Sequence, residues 1–191
     1  MIEKAPSLSF SMHMKPKILK ICLKLVMKSP FSHRLPEAKV SAEISIQTQD
    51  FELSQEVEML EQDNLSDGAV VTFTGRVRNK NEGLDVKGLY LEHYPGMTEK
   101  SLAKIIETAK ERWHIGRVRV IHRIGQLALG EQIVFVGVTS MHRQDAFAAA
   151  EFIMDYLKVQ APFWKKELTE LGEKWLDARA TDTDKAQQWK Q

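Results

Sequence analysis

A single cysteine, Cys22, among 191 residues rules out an internal disulfide, and this scarcity fits a reducing compartment, the cytoplasm. Since Cys22 lies within the first forty residues, the rest of the chain has no thiol nucleophile. No apolar run is long enough to span a membrane. The longest candidate, around residues 15–28, is broken by Lys20 and Lys24, and the same lysines spoil the apolar region of a secretory signal. Arg and Ser are too sparse there for a mitochondrial transit peptide. No Gly-rich phosphate loop is present, because Gly75, Gly83 and Gly88 form no recognised pattern. His93, His114 and His122 lack the spacing or the partner cysteines of a metal site, so no metal is expected and these histidines read as structural. There is no internal repeat and no low-complexity tract.

Charge of one sign is also missing overall, since the net charge is +1. That balance hides an asymmetry. Residues 1–40 carry eight Lys or Arg against two acids, and the remainder carries nineteen against twenty-four. A mildly acidic body argues against a nucleic-acid surface, so any basic cluster there must be a local site. Residues 1–40 read as a basic, disordered extension, with Met12, Met14 and Met27 as alternative starts. Residues 41–180 read as one domain with enough apolar content for a core, and 181–191 as a polar C-terminal tail.

The domain's pattern is α+β. Ile44–Thr48 alternates as a strand, and Glu56–Glu61 reads as a short helix. Ala69–Val77 is strand-like and rich in β-branched residues, Asn79–Gly83 reads as a loop, and Val86–Tyr94 as the next strand. Thr98 is placed as the N-cap of a helix whose inner face carries Leu102, Ile105, Ile106, Ala109 and Trp113. Arg117–Ile124 and Gln132–Thr139 make two further strands around a turn near Gly130. In the helix that follows, Phe147, Ala150, Ile153, Met154 and Leu157 recur at helical spacing. Two short extended pieces, Phe163–Leu168 and Lys174–Ala178, close the domain.

Pro162 ends that helix and biases Ala161 away from helical angles. Lys158 therefore falls at a helix C-terminus, where a cation is favoured by about 0.3–1 kcal/mol. Lys165 falls just past the turn, where both ammonium groups can face one pocket. Two converging lysines suit a polyanion, an acyl group or a developing oxyanion, although a lysine pair taken alone is ordinarily solvated surface. Arg78 follows a strand and can grip a phosphate through two hydrogen bonds. His142 and Arg143 open a helix whose free backbone N–H groups can bind an anion. Arg179, in Trp175-Leu-Asp-Ala-Arg179, carries no signal by itself. Phe163 and Trp164 could floor a ligand pocket, but aromatics beside a proline are more often packing residues.

These segments occur together and in order: Asp67-Gly-Ala-Val-Val-Thr-Phe-Thr-Gly-Arg-Val-Arg78-Asn79, Leu91-Glu-His-Tyr-Pro-Gly-Met97, Val120-Ile-His-Arg-Ile-Gly125, Ile133–Arg143 and Phe152–Leu168. From about Ile44 to about Arg179 the chain closely resembles the family of large, catalytic subunits of molybdopterin synthase.

The resemblance implies an α/β hammerhead-type domain with an added small antiparallel sheet. It also implies an enzyme that turns a cyclic pyranopterin monophosphate (precursor Z) into molybdopterin by installing two sulfurs as a dithiolene. The sulfur would come as a thiocarboxylate on the C-terminal Gly-Gly tail of a small ubiquitin-like subunit, so no cofactor of the chain's own is expected. A homodimer carrying one small subunit at each end is implied as well. The family's catalytic lysines map onto Lys158 and Lys165, and its substrate-binding residues onto Arg78, His142, Arg143 and Arg179. Lys158 would act as electrostatic stabiliser or transient acyl acceptor, and Lys165 in proton transfer or oxyanion stabilisation. Two other readings keep the same residues: a non-catalytic module binding an extended acidic tail, and a hydrolase or transferase for a phosphorylated small molecule.

Overall fold

The computed structural model describes residues 42–81, 83–176 and 180–190. The extension 1–40 lies outside them. Strands β1 (Ala42–Gln47), β5 (Ile115–Arg123), β7 (Gln132–Ser140) and β2 (Ala69–Arg76) lie side by side in the order β1-β5-β7-β2. The β1–β5 pair is parallel and the other two pairs are antiparallel. Side chains alternate across this sheet, as a period of two demands. Val118 and Val120 of β5 and Val134, Val136 and Val138 of β7 face one core, while Ile121 and Phe135 face the other.

The first core is covered by helices α2 (Met97–Arg112) and α3 (Arg143–Gln160). Leu102, Ile105, Ile106 and Ala109 come from α2, and Ala149, Ala150, Ile153 and Leu157 from α3. The second face is covered by helix α1 (Leu53–Glu61) through Leu60, with Phe51 set edge-on to Phe135. Two details of the helices depart from the sequence reading. Phe147 does not join the inner face of α3 but is 62% exposed, because Ala146, Ala149, Ala150 and Ile153 already fill that stripe. Thr98 is not the cap of α2. Gly96, at φ 78°, takes that place because a left-handed backbone suits glycine. Its N–H donates to the Glu99 carboxylate at 2.6 Å, and the buried Thr98 hydroxyl bonds back to the Tyr94 carbonyl.

A second, antiparallel sheet is built on the long strand β4 (Leu84–His93). One edge of β4 pairs with β8 (Phe163–Thr169), which pairs in turn with β9 (Gly172–Leu176). Its other edge pairs with the short strands β3 (Lys80–Asn81) and β6 (Gly125–Ala128). Lys80 and Asn81, expected in a loop, instead pair with Asp85 and Leu84 of β4. The four residues of β6, absent from the sequence reading, are too few for an alternation to register. The last residues also fold: Ala180–Gln188 forms helix α4, and Trp189 docks edge-on against Trp113 and Phe152 while its ring N–H donates to Asp155. A mostly polar segment is tied down by one aromatic anchor. Among the described residues no helix is long and apolar enough to cross a membrane.

Candidate active site

The path of α3 decides where the candidate residues fall. It leaves the C-terminal end of β7 at His142 and runs back along the sheet, ending beside the opposite end of β5. His142, its N-cap residue, has extended angles (φ −125°, ψ 138°) and no side-chain cap bond. Its imidazole and the Arg143 guanidinium stand exposed at a helix start that carries free N–H groups. Lys158 sits in the last turn of the same helix, one turn before the break at Ala161 (ψ 127°) that Pro162 enforces. Fifteen residues at the α-helical rise place Arg143 and Lys158 about 22 Å apart along the axis.

Beyond the break the chain turns sharply, with the Phe163 N–H donating to the Ala161 carbonyl at 2.8 Å, and β8 begins. Residues 163, 165 and 167 share one face of this strand. Lys165 on that face is half-buried, with Leu91 of β4 and Leu176 of β9 as its neighbours in register. Lys166 points the other way, ion-paired to Glu173 at 2.7 Å and lying over the rings of Tyr90 and Trp175. Lys158 is 3.4 Å from the Asp182 carboxylate of α4, a partly exposed pair worth at most about 1 kcal/mol. The catalytic-lysine assignment therefore needs no buried charge at Lys158. It asks only that an incoming anion outcompete Asp182.

Arg78 is exposed just after β2, at the sheet end that also holds His122 and the α3 break, because Arg76 pairs with Gln132 and His122 with Val134. The structure thus gathers Arg78, Lys158 and Lys165 towards one end of the molecule and leaves His142 and Arg143 at the other. Arg179 lies outside the described residues. Phe163 is a packing residue, while Trp164 is 48% exposed on the outer face of β8.

Two histidines surround Phe163. The His122 ring stacks on it at 3.7 Å between centroids and 15° between planes. His93, its register partner on β4, stacks at 6.4 Å and 24°. His122 is 2% exposed, and burial pushes its pKa down to about 3, helped by the nearby Lys165 and His93 and opposed by a 2.8 Å hydrogen bond to the Arg123 carbonyl. The ring is therefore neutral, with the proton on Nδ1. Between pH 3 and 6.5 the unfolded chain binds a proton here that the folded chain refuses. Stability is full above 6.5 and drains as pH falls towards 3, by on the order of 5 kcal/mol. Urea melts at pH 7 and pH 4.5 should show about half of that loss, and His122→Phe should reduce the difference between the two pH values.

Residues 46–160, more than half of the chain, match the family described as MoaE protein. This chain belongs to the MoaE family. It is 60% identical over 146 residues to the molybdopterin synthase catalytic subunit of Vibrio cholerae, covering 76% of this chain and 97% of that one. Among solved structures, the MoaE protein of Burkholderia ambifaria superposes with a TM-score of 0.68 at 49% identity, covering 79% of this chain and 99% of that one. The molybdopterin synthase of Staphylococcus aureus gives 0.64 at 36%, covering 70% and 96%. The α+β fold expected from the sequence is that of these MoaE structures.

Proposed function

We propose that this MoaE chain is the catalytic subunit of a molybdopterin synthase. It would convert a cyclic pyranopterin monophosphate to molybdopterin with two sulfurs drawn from the C-terminal thiocarboxylate of a small ubiquitin-like subunit. The observation that carries the reading is the pair Lys158 and Lys165, displayed on either side of the Pro162 break in a chain 60% identical to a molybdopterin synthase catalytic subunit. The chemistry is anionic throughout. The thiocarboxylate, the substrate phosphate and the tetrahedral intermediate at the acyl carbon all carry negative charge, and fixed cations stabilise each of them. Lys158 meets the thiocarboxylate as electrostatic stabiliser or transient acyl acceptor. Lys165 serves proton transfer or the oxyanion, and Arg78, His142, Arg143 and Arg179 hold the substrate. The chain needs no cofactor of its own, since the sulfur comes on the partner, and the cytoplasm suits a pathway that depends on thiocarboxylates.

The distance between the two ends of α3 bears on assembly. His142 and Arg143 can serve the lysines only if a second copy brings its α3 start to the first copy's α3 end. The helix start is suited to an interface, since Met141 and Phe147 beside it are 60% and 62% exposed. A homodimer with two composite pockets, each receiving one small subunit, satisfies both facts.

A three-arm assay tests the reading: the cyclic substrate with the thiocarboxylated small subunit, with the same subunit ending in a carboxylate, and with neither. Product only in the first arm is expected. Turnover without any carrier would favour a small-molecule hydrolase or transferase, and carrier binding without product a docking module.

A further inference from the structure

Among the described residues one buried side-chain nitrogen has no hydrogen-bond partner: Nδ1 of His93. Leaving such a group unsatisfied is costly, so its persistence calls for a reason. Stacking on Phe163 restricts the ring, and the phenyl face supplies no donor. The other imidazole of the cluster is committed, since His122 gives its Nδ1 proton to the Arg123 carbonyl. A lysine ammonium carries three donors, so Lys165 can serve His93 alongside any other acceptor. His93 pairs with Phe163 in the β4–β8 register, and Lys165 stands two residues further along β8 on the same face. His93 and Lys165 are thus diagonal cross-strand neighbours, a relation that spans about 7–8 Å and lies within reach of a long side chain. Phe163, between His93 and His122 in the stack, shares its strand face with Lys165.

Building on the function proposed above, we infer that His93 is the positioning residue of Lys165, its Nδ1 accepting a hydrogen bond from the Lys165 amine in the assembled enzyme. With Nδ1 accepting, the ring donates only through Nε2, at the edge of a half-exposed side chain. A long lysine on a strand has several rotamers, and a fixed acceptor beside its amine selects the one that meets the acyl carbon. The strand places the Lys165 backbone, and His93 places its nitrogen.

Two substitutions separate this role from simple packing. His93→Phe keeps a ring on Phe163 and removes the nitrogen, whereas His93→Asn restores an acceptor close to the Nδ1 position. With His93→Phe, kcat is expected to fall about tenfold or more while KM for the pterin and affinity for the small subunit stay within about twofold. His93→Asn should recover most of that loss. Independently of turnover, acylation of lysines by a small anhydride in the assembled complex, read by peptide mass spectrometry, should show the Lys165-to-Lys158 ratio changed about fivefold by His93→Phe. Wild-type kcat in His93→Phe, an Asn variant no better than Phe, or an unchanged labelling ratio would each overturn the inference. A wild-type enzyme inactive in the sulfur-transfer assay would refute the proposed function instead, and the labelling ratio would still decide the role of His93.

Discussion

Lys158→Ala is expected to lower product formation at least ~10²–10³-fold, the usual loss when one preorganised charge is removed from an acyl-transfer site, and more if Lys158 is the acyl acceptor. The fold should hardly notice. The side chain is well exposed, it fills no core space, and its one ion pair is with Asp182. Thermal melting and small-subunit binding should therefore stay close to wild type while turnover collapses. Lys165→Ala should be comparably inactive but less innocuous, since Lys165 is half-buried between β4 and β9. The contrast separates chemistry from stability. A Lys158→Ala protein with near-normal turnover would remove the catalytic assignment, whatever the fate of Lys165.

The second large effect is a recovery of activity. Arg143→Ala and Lys158→Ala should each be inactive alone as homodimers. If one pocket takes Arg143 from one chain and Lys158 from the other, a mixed dimer has one intact site and one doubly damaged site. Co-refolding equal amounts makes half of the dimers mixed, so about a quarter of wild-type activity should return. The separation of about 22 Å along one helix is the reason to expect this, because no side-chain rotamer bridges it. Mixed dimers shown to form without regaining activity would put both residues in one chain's pocket, in conflict with the path of α3.

Much of this arrangement was legible in the sequence. The strands of the four-stranded sheet announce themselves through β-branched residues at alternate positions, as in Val134, Val136 and Val138. The α3 boundary follows from Pro162. The placement of Lys158 in the last turn and Lys165 on the next strand therefore needed no coordinates. Other features could not be read because they depend on partners distant in the chain. Strand β6 exists only by pairing with β4, and Gly96 displaces Thr98 as cap through a backbone angle that composition does not reveal. Phe147 has the right spacing for the core, but the smaller alanines around it already fill that stripe. His93 and His122 read as structural, and by sequence they are: nothing in a one-dimensional pattern shows that both stack on Phe163 beside a lysine. The split between Arg143 and Lys158 follows from the length of one helix and was legible, whereas the placement of Arg78 at the lysine end depends on the pairing of β2 and β5 with β7.

The most direct test of the central claim is a single-turnover sulfur balance. The small subunit, thiocarboxylated with ³⁴S, is mixed with the cyclic pyranopterin substrate and this chain, and product and carrier are both analysed by mass spectrometry. The account predicts a dithiolene product containing two heavy sulfurs, with two carriers converted to the plain carboxylate for each product, and neither change with Lys158→Ala. Product formed without heavy sulfur, or carriers left as thiocarboxylate while substrate is consumed, would contradict it.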